Sequence, residues 1–521
     1  TYVIISEGEM YEGSVWETAL FASQQKLDNL ILILDRNHKI ILGSITCLFL
    51  VLWIVSTKLI EWRGGGIPKL VWSKSGPNIS KLKEQRKTDA IKSSGISLSN
   101  HGNATNPYWS NFRGPNGEGI YTEQPILTNW PKEGPPVLWR KLVGGGHSSF
   151  TIANGLVFTI EQQEKNEVIA AFSTVTGSAQ WTHPYTAKFG EIFGGIGPRT
   201  TPTWDDGLLY ALGAEGHLHC VHARSGKLLW KKNLMPKNGA EAPHWGVSAS
   251  PFIYKDTVII NASDESETLY ALDKATGKVT WKVNAGGIAL TFGTPGIVQA
   301  GDREDLVIAV PYEIWGMNPD KGTLRWVCEI PMDGNVSPSI LVDKGVVYAF
   351  GGYRTRGSVA VRAVEDIRGP LDVTKSHLVW KTRTSSYVPS PVLHNGHLYW
   401  MDDRGNAFCS DAKTGKVIYE KEIIGPSRDR PVYASPVLVN GRIYCVTRKR
   451  GTYVFAAQPT FKQLANNRFA GDESDFNASP AVSNGQMFIP IKMPDQEIAV
   501  ISKHREMLQE AHGVRTFLPS D

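Results

Sequence analysis

One short phrase recurs along this chain: a Thr-Gly-Lys-like turn followed at once by a strand that carries an aromatic residue. "TGSAQW" ends at Trp181, "SGKLLW" at Trp230, "TGKVTW" at Trp281, "KGTLRW" at Trp326 and "TGKVIY" at Tyr419. Upstream of each lies a second landmark, a Ser/Thr-Pro entering a short apolar strand. The prolines are Pro202, Pro251, Pro295, Pro338, Pro391, Pro436 and Pro480, spaced by 49, 44, 43, 53, 45 and 44 residues. One further copy, "SSFTIANGLVFTI", has Phe150 in the proline's place. Between the landmarks run a hairpin and a third strand such as "TLYALD". The Asn-Gly pairs at 395–396, 440–441 and 484–485 are two-residue hairpin signals, because a type I′ turn needs positive φ at both central residues.

The count is therefore eight units of four strands. A four-stranded sheet cannot bury both of its faces alone, so neighbouring units must stack. An aromatic on each outer strand would cover the joint, and it recurs because the joint recurs. Closure is legible as well. The last unit stops at its third strand, "EIAVIS", while an orphan fourth strand, "PPVLWRKL" with Trp139, precedes the first unit. Placing that strand in the last unit clasps the ring and leaves no open edge. The reading is an all-β, eight-bladed propeller of four-stranded antiparallel blades over residues 108–501, beginning at "YWSNFRGPNGEG", with a C-terminal tail at 502–521.

Composition agrees. A chain of 521 residues exceeds one ordinary core unless it is a repeat array, and 51 Gly, 30 Pro and 16 Trp suit many short strands joined by tight turns. The net charge of +5 is small for this length and gives no ground for nucleic-acid binding. Cys47, Cys220, Cys328, Cys409 and Cys445 show no CxxC spacing, and the last four sit in strand-like text as small buried apolar residues.

The N-terminal part reads differently. Residues 40–57, "IILGSITCLFLVLWIVST", carry no charge and are bracketed by Lys39 and Lys58, so a transmembrane helix is expected as an uncleaved anchor at 40–60. Residues 61–107 are polar and lack a hydrophobic period, which predicts a flexible linker. The propeller is then expected in the periplasm or outside the cell, although the lysines after the hydrophobic segment leave its orientation open.

The unit "SP…LYALD…TGK…W" resembles the pyrroloquinoline-quinone-type repeat of quinoprotein alcohol dehydrogenases and of their non-enzymatic relatives, which include the propeller lipoprotein of the outer-membrane assembly machine. The resemblance covers about residues 108–501 and implies the fold. In the dehydrogenases it also implies a quinone and calcium held by acidic and amide side chains, together with a disulfide between adjacent cysteines. No two cysteines are adjacent here and the loops are short, so no cofactor is expected. The function expected is a binding or scaffolding propeller with an unidentified protein or small-molecule partner and no catalytic residue. The alternative is a quinoprotein dehydrogenase using pyrroloquinoline quinone and calcium.

Residues 1–39 contain "YVIISEGEMYEGSVWETALFASQQKLDNLILILDRN", which resembles the thiamine-diphosphate motif of transketolases. The resemblance places Glu7 and Asn37, thirty residues apart, as ligands of Mg²⁺ on the diphosphate. Between them a helix and a buried parallel strand, "NLILILD", are expected, making a short α/β fragment. The rest of the cofactor fold is missing from the chain, so transketolase activity is not expected. A gene fusion or assembly artefact is the plainest account of this segment.

Candidate site residues follow from the repeat. Loops entering the innermost strands must converge on one mouth of the central channel. The position three before each proline gives His147, Arg199, Ser248, Phe292, Asn335, Val388, Tyr433 and Asn477, with Trp245, Tyr387 and Arg430 nearby. These identities diverge while the scaffold residues do not. A ligand site is therefore read at His147, Arg199, Trp245, Asn335, Tyr387, Arg430 and Tyr433, with solvent-exposed variable loops as the competing reading. Arg199 and Arg430 would favour an anionic or carbonyl-bearing ligand. His219 and His222 lie three apart in one strand and face opposite ways, which argues against a metal pair.

Overall fold

The computed structural model describes residues 2–5, 31–34, 60–63, 67–70, 78–93 and, with short interruptions, 109–502. The chain divides into two compact units, one comprising residues 1–63 with 68–74 and the other the remainder. In the first unit, strand Tyr2–Ile5 pairs in parallel with Ile31–Leu34, the strand expected from "NLILILD".

The second unit is the propeller. Its blades, numbered from the N-terminus, span 151–186, 203–233, 252–284, 296–329, 341–382, 392–422 and 437–467, and an eighth combines three strands of 481–502 with Val137–Leu142. Trp139 pairs with Val500, so the orphan strand closes the ring in the last blade. The inner hairpins turn as the Asn-Gly signal requires, with φ of +48° and +74° at Asn395 and Gly396 and +46° and +71° at Asn440 and Gly441.

The outer-strand aromatics work as a repeated joint. Trp139, Trp181, Trp230, Trp281 and Trp380 each donate Nε1–H to a carbonyl of the following blade, at 2.9–3.0 Å. Each ring lies on the turn glycine of that blade: Gly177, Gly226, Gly277, Gly322 and Gly415. Opposite the aromatic in blades 1 to 6, within its own blade, stands a small residue, in order Ala171, Cys220, Ala271, Gly316, Ala360 and Cys409, whereas Trp139 of the closing strand faces Val500. Two of the cysteines are thus explained as small buried fillers behind a ring. Trp326 departs from the pattern and donates to Asp305 of its own blade at 2.9 Å.

The Ser/Thr-Pro landmark has its own physical cause. Backbone N–H groups of Ser149, Thr201, Ser250, Thr294, Ser339, Ser390 and Ser435 each donate to the hydroxyl of the next member, ending at Ser479, over 2.9–3.3 Å. Ser149 Oγ–H closes the circle on the carbonyl of Ser479 at 2.6 Å. A ring of hydroxyls therefore ties the eight blades together around the axis. It also corrects the register of the fifth unit. Ring member Ser339 follows Pro338, and Ile340, not Pro338, precedes the inner strand Leu341–Asp343 as the prolines do elsewhere.

Two segments before the blades contribute. The stretch after Trp109 runs across the channel. The Trp109 carbonyl accepts from Ile152 N–H of blade 1 at 2.8 Å and the Ser110 carbonyl from Trp204 N–H of blade 2 at 2.7 Å. Arg113 donates to the Pro391 carbonyl at the entry of blade 6, and Ile120–Tyr121 adds a parallel strand to blade 7. Blades 2 and 6 stand opposite one another in an eight-membered ring, so this segment crosses the axis.

Two expectations are corrected. The predicted transmembrane helix is not supported: among the described residues no helix is long and apolar enough to cross a membrane. Residues 40–59 themselves lie outside the described residues, as do Glu7 and Asn37. The predicted flexible linker at 61–107 contains a helix, α1 (Ile79–Ser93), that packs on the propeller. Leu82 is buried, Arg86 pairs with Glu161 at 3.1 Å, and Asp89 pairs with Lys141 at 2.7 Å. The helix thereby bridges the closing strand Val137–Leu142 and blade 1. Charges rather than an apolar stripe hold it, which is why hydrophobic periodicity did not reveal it.

Candidate functional site

Strand direction decides what reaches the mouth. In each blade the connection into the inner strand and the loop between the second and third strands lie at one end, while the Asn-Gly hairpins lie at the other. The structure places a cup of about 810 Å³ at the first of these ends. His147, Arg199, Ser248, Phe292, Asn335, Val388, Tyr433 and Asn477, the eight positions derived from the repeat, all line it. So do Trp245, Tyr387 and Arg430, and all seven predicted site residues are brought together. Ser337, which the corrected register makes the true equivalent in blade 5, lines the cup beside Asn335. Phe112, from the segment that crosses the channel, lines it as well.

The two predicted arginines differ in what they have left to offer. Arg199 has a side chain only 10 % exposed, 3.6 Å from Glu191. It also donates to the carbonyls of Gly195, at 3.0 Å, and Gly197, and its guanidinium covers the ring of Phe189 at 4.6 Å. Burial lowers its pKa to about 10, with Glu191 and Glu167 acting in the opposite direction. Arg199 thus holds the hairpin formed by Gly190–Glu191 and Gly195–Ile196, and His147 Nε2 meets the Gly194 carbonyl of the same hairpin. Arg430 is more open, at 26 % side-chain exposure. Its guanidinium lies 4.7 Å from the ring of Tyr387 and 5.3 Å from that of Tyr353, with Nε 3.6 Å from Asp403. Burial alone would lower its pKa; Tyr433, Asp403, Tyr387 and Tyr353 outweigh that and hold it raised. Burial raises the Tyr433 hydroxyl. Asn335 donates to the Tyr387 hydroxyl at 3.3 Å, and Trp245 meets His244 edge-on at 4.8 Å.

The sequence reading missed Tyr353, Arg356, Asp403 and Arg448. Tyr353, Asp403 and Arg448 belong to loops between second and third strands, and Arg356 closes the first of these loops. These loops share the cup's end of the blade by the same up-and-down alternation that placed the predicted residues, so topology alone was a usable signal. Arg356 makes a forked pair with Asp403 at 2.6 and 3.1 Å, and Arg448 lies 5.4 Å from the ring of Tyr433.

No carboxylate lines the cup among the described residues, and Arg199, Arg430 and Arg448 do. A hard cation such as calcium requires several oxygen ligands, chiefly carboxylates, so this lining does not fit a calcium–quinone site. No cluster of histidine, cysteine or acidic residues suited to a metal is found among the described residues.

Comparison with known proteins follows the same line. A family model described as outer membrane protein assembly factor BamB matches residues 165–418 and 369–463, together more than half of the chain. The chain belongs to this family. It is similar to outer membrane protein assembly factor BamB of Yersinia pestis, 21 % identical over 284 residues, covering 51 % of this chain and 65 % of that protein. Among solved structures, BamB from Moraxella catarrhalis superposes with a TM-score of 0.51 at 14 % identity, covering 71 % of this chain and 99 % of the other. A europium-containing methanol dehydrogenase gives 0.52 at 12 % identity, covering 81 % and 100 %. At these identities the structural likeness is one of fold. A stretch of 44 residues is 50 % identical to one component of the apulose-4-phosphate transketolase of Phocaeicola vulgatus, covering 8 % of this chain and 16 % of that protein.

Proposed function

We propose that this chain is an extracytoplasmic binding or scaffolding propeller that holds a protein partner of outer-membrane assembly at the mouth of its cup. One observation carries the reading. A uniform ring of hydroxyl bonds positions eight equivalent loops, and those loops present side chains that differ from blade to blade: imidazole, guanidinium, phenol, phenyl, amide. A residue needed only for packing would repeat with the scaffold, as the outer-strand tryptophans do. Divergent polar and aromatic groups converging on one concavity are what recognition of an asymmetric ligand requires. Family membership supports a protein as that ligand, since the relatives are named as assembly factors.

The test has two arms. A photo-crosslinking amino acid at Val388, on the cup wall, is expected to trap a polypeptide in cells producing the chain, while the same group at the exposed outer-strand residue Ile418 is not. Equal trapping at both positions, or none at either, would remove the cup from the reading. In the second arm, purified protein with pyrroloquinoline quinone and calcium is expected to show no dye-coupled oxidation of alcohols. Turnover there would replace the binding reading with a quinoprotein one.

A further inference from the structure

A groove of about 590 Å³ adjoins the cup, and Tyr353 and Arg430 belong to both. Its walls also include Arg354, Arg356, Arg383 and Arg404, so five guanidinium groups face one concavity. Against them stands Asp403, buried and shared between Arg356 and Arg430. Arg354, Arg383 and Arg404 are exposed. The Asp333 carboxylate nearby accepts the backbone N–H groups of Arg354 and Thr355 at 3.0 and 2.6 Å.

This concentration of charge is local. It comes from blades 5 and 6, and the corresponding loop of blade 7 continues it with "RKR" at 448–450, whereas that of blade 2 carries Glu215. Gathering like charges at one place opposes folding through their mutual repulsion, so the fold itself does not account for the cluster. Guanidinium groups offer forked, planar donors that match carboxylates in two-point contacts. Shape narrows the class of ligand further. The groove is concave and leads into the cup, where Arg430 lies against the adjoining rings of Tyr353 and Tyr387. A bilayer surface cannot follow that path, and an extended peptide, advancing about 3.3–3.6 Å per residue, can.

We propose that this arginine groove binds an acidic polypeptide segment, one of whose carboxylates is received by Arg430 at the edge of the cup. The proposal rests on the reading of the cup as a partner site and names the chemistry of the partner. Because the exposed part of the contact is electrostatic, affinity falls as salt rises.

The experiment uses the full chain and three probes: a fluorescein-labelled peptide of alternating Glu and Gly, the same peptide with Gln for Glu, and phosphatidylglycerol vesicles. Only the Glu peptide is expected to bind. Its Kd is expected to rise about tenfold or more in R354E/R383E/R404E, and several-fold in Arg430→Gln. The neutral R354Q/R383Q/R404Q variant, checked for an unchanged melting curve, is expected to lie between wild type and the charge-reversed form. Equal binding of the Gln peptide, or an unchanged Kd in both the charge-reversed and Arg430→Gln variants, overturns the proposal. Arginine-dependent binding of vesicles without binding of peptide overturns it in favour of a lipid. Peptide binding that fails while Val388 still crosslinks a polypeptide sinks the groove and leaves the cup. Arginine-dependent peptide binding without any Val388 crosslink removes the cup and keeps the groove as a peptide site.

Discussion

Trp230 donates its indole N–H to the carbonyl of Lys274 in the next blade at 2.9 Å, and its ring lies on Gly277 in the same turn of that blade. A Cβ at Gly277 would stand 2.6 Å from that ring, and its φ is +69°. Two penalties therefore meet in Gly277→Ala. Gly396 offers the control, with φ +74° and nothing within 4 Å of an added Cβ. Left-handed strain of about 1–3 kcal/mol applies to both, and overpacking adds about 1–3 kcal/mol at Gly277 alone. Gly277→Ala is expected to be the more destabilising in parallel urea unfolding. Equal losses would show that the tryptophan joint contributes nothing measurable.

The hydroxyl ring makes a second expectation. The Ser435 hydroxyl accepts from the buried Ser390 N–H at 3.0 Å, and Ser435→Ala leaves that donor without its acceptor. The cost is about 1–3 kcal/mol. Ser435→Thr is expected to be tolerated, because Thr201 and Thr294 already fill equivalent places. Hydrogen exchange at the Ser390 amide should accelerate in the alanine variant and not in the threonine one.

Most of the propeller was legible because each part of the repeat has one physical cause that leaves a residue-level mark. Asn-Gly marks a type I′ turn, Ser/Thr-Pro marks the ring and entry to the inner strand, and Gly with a later Trp marks the joint. The marks failed where the cause was met by other residues. In the fifth blade Ile340 fills the place of the proline, so Pro338 misled the register by two residues. Helix α1 docks through Arg86 and Asp89 rather than an apolar stripe, so it read as linker. Topology placed the predicted positions around one cup, but residue type alone could not reveal that the Arg199 guanidinium is taken up by Glu191 and two carbonyls while Arg430, beside Asp403, keeps more of its side chain exposed.

That difference is testable. Arg199→Ala removes the cation from Glu191 and the donors from Gly195 and Gly197, so the hairpin near residues 190–197 loses its anchor. Limited proteolysis is expected to cut there faster than in wild type, while the Kd for the Glu peptide stays unchanged. Arg430→Gln should give the opposite pair of results. A weakened peptide affinity in Arg199→Ala with an intact hairpin would show that its guanidinium reaches ligand after all.

Cys220, Cys328, Cys409 and Cys445 are buried and unpaired. Burial pushes the thiols of Cys220 and Cys445 up to about 12, and those of Cys328 and Cys409 to about 11. The thiolate is the nucleophile, so none should react at neutral pH in the folded protein. In a Cys47→Ser variant, labelling by a thiol reagent is expected to be negligible until urea unfolds the chain, then to reach four equivalents. Prompt native labelling would mean that a blade opens locally.

The last expectation concerns acid. His183 Nε2 and His219 Nδ1 meet at 3.0 Å between blades 1 and 2, with the ring of Tyr185 centred 4.1 Å from that of His219. Burial first, and then the positive fields of His183, His217 and Lys231, push His219 down to about 3. His183 is lowered as well, by burial and then by Lys231. In the unfolded chain both imidazoles titrate near the ordinary 6.5. Above that value neither state holds the proton and the pair contributes no pH dependence. Below it the unfolded chain takes up protons that the folded chain refuses, so stability falls as pH drops from 6.5 and levels off only near the folded value of about 3. His219→Gln, which cannot titrate, is expected to flatten this slope. The check is the urea midpoint of wild type and variant at about pH 7, 6 and 5, the range in which an unperturbed histidine changes charge. Parallel slopes in the two proteins would show that His219 takes its proton as readily folded as unfolded.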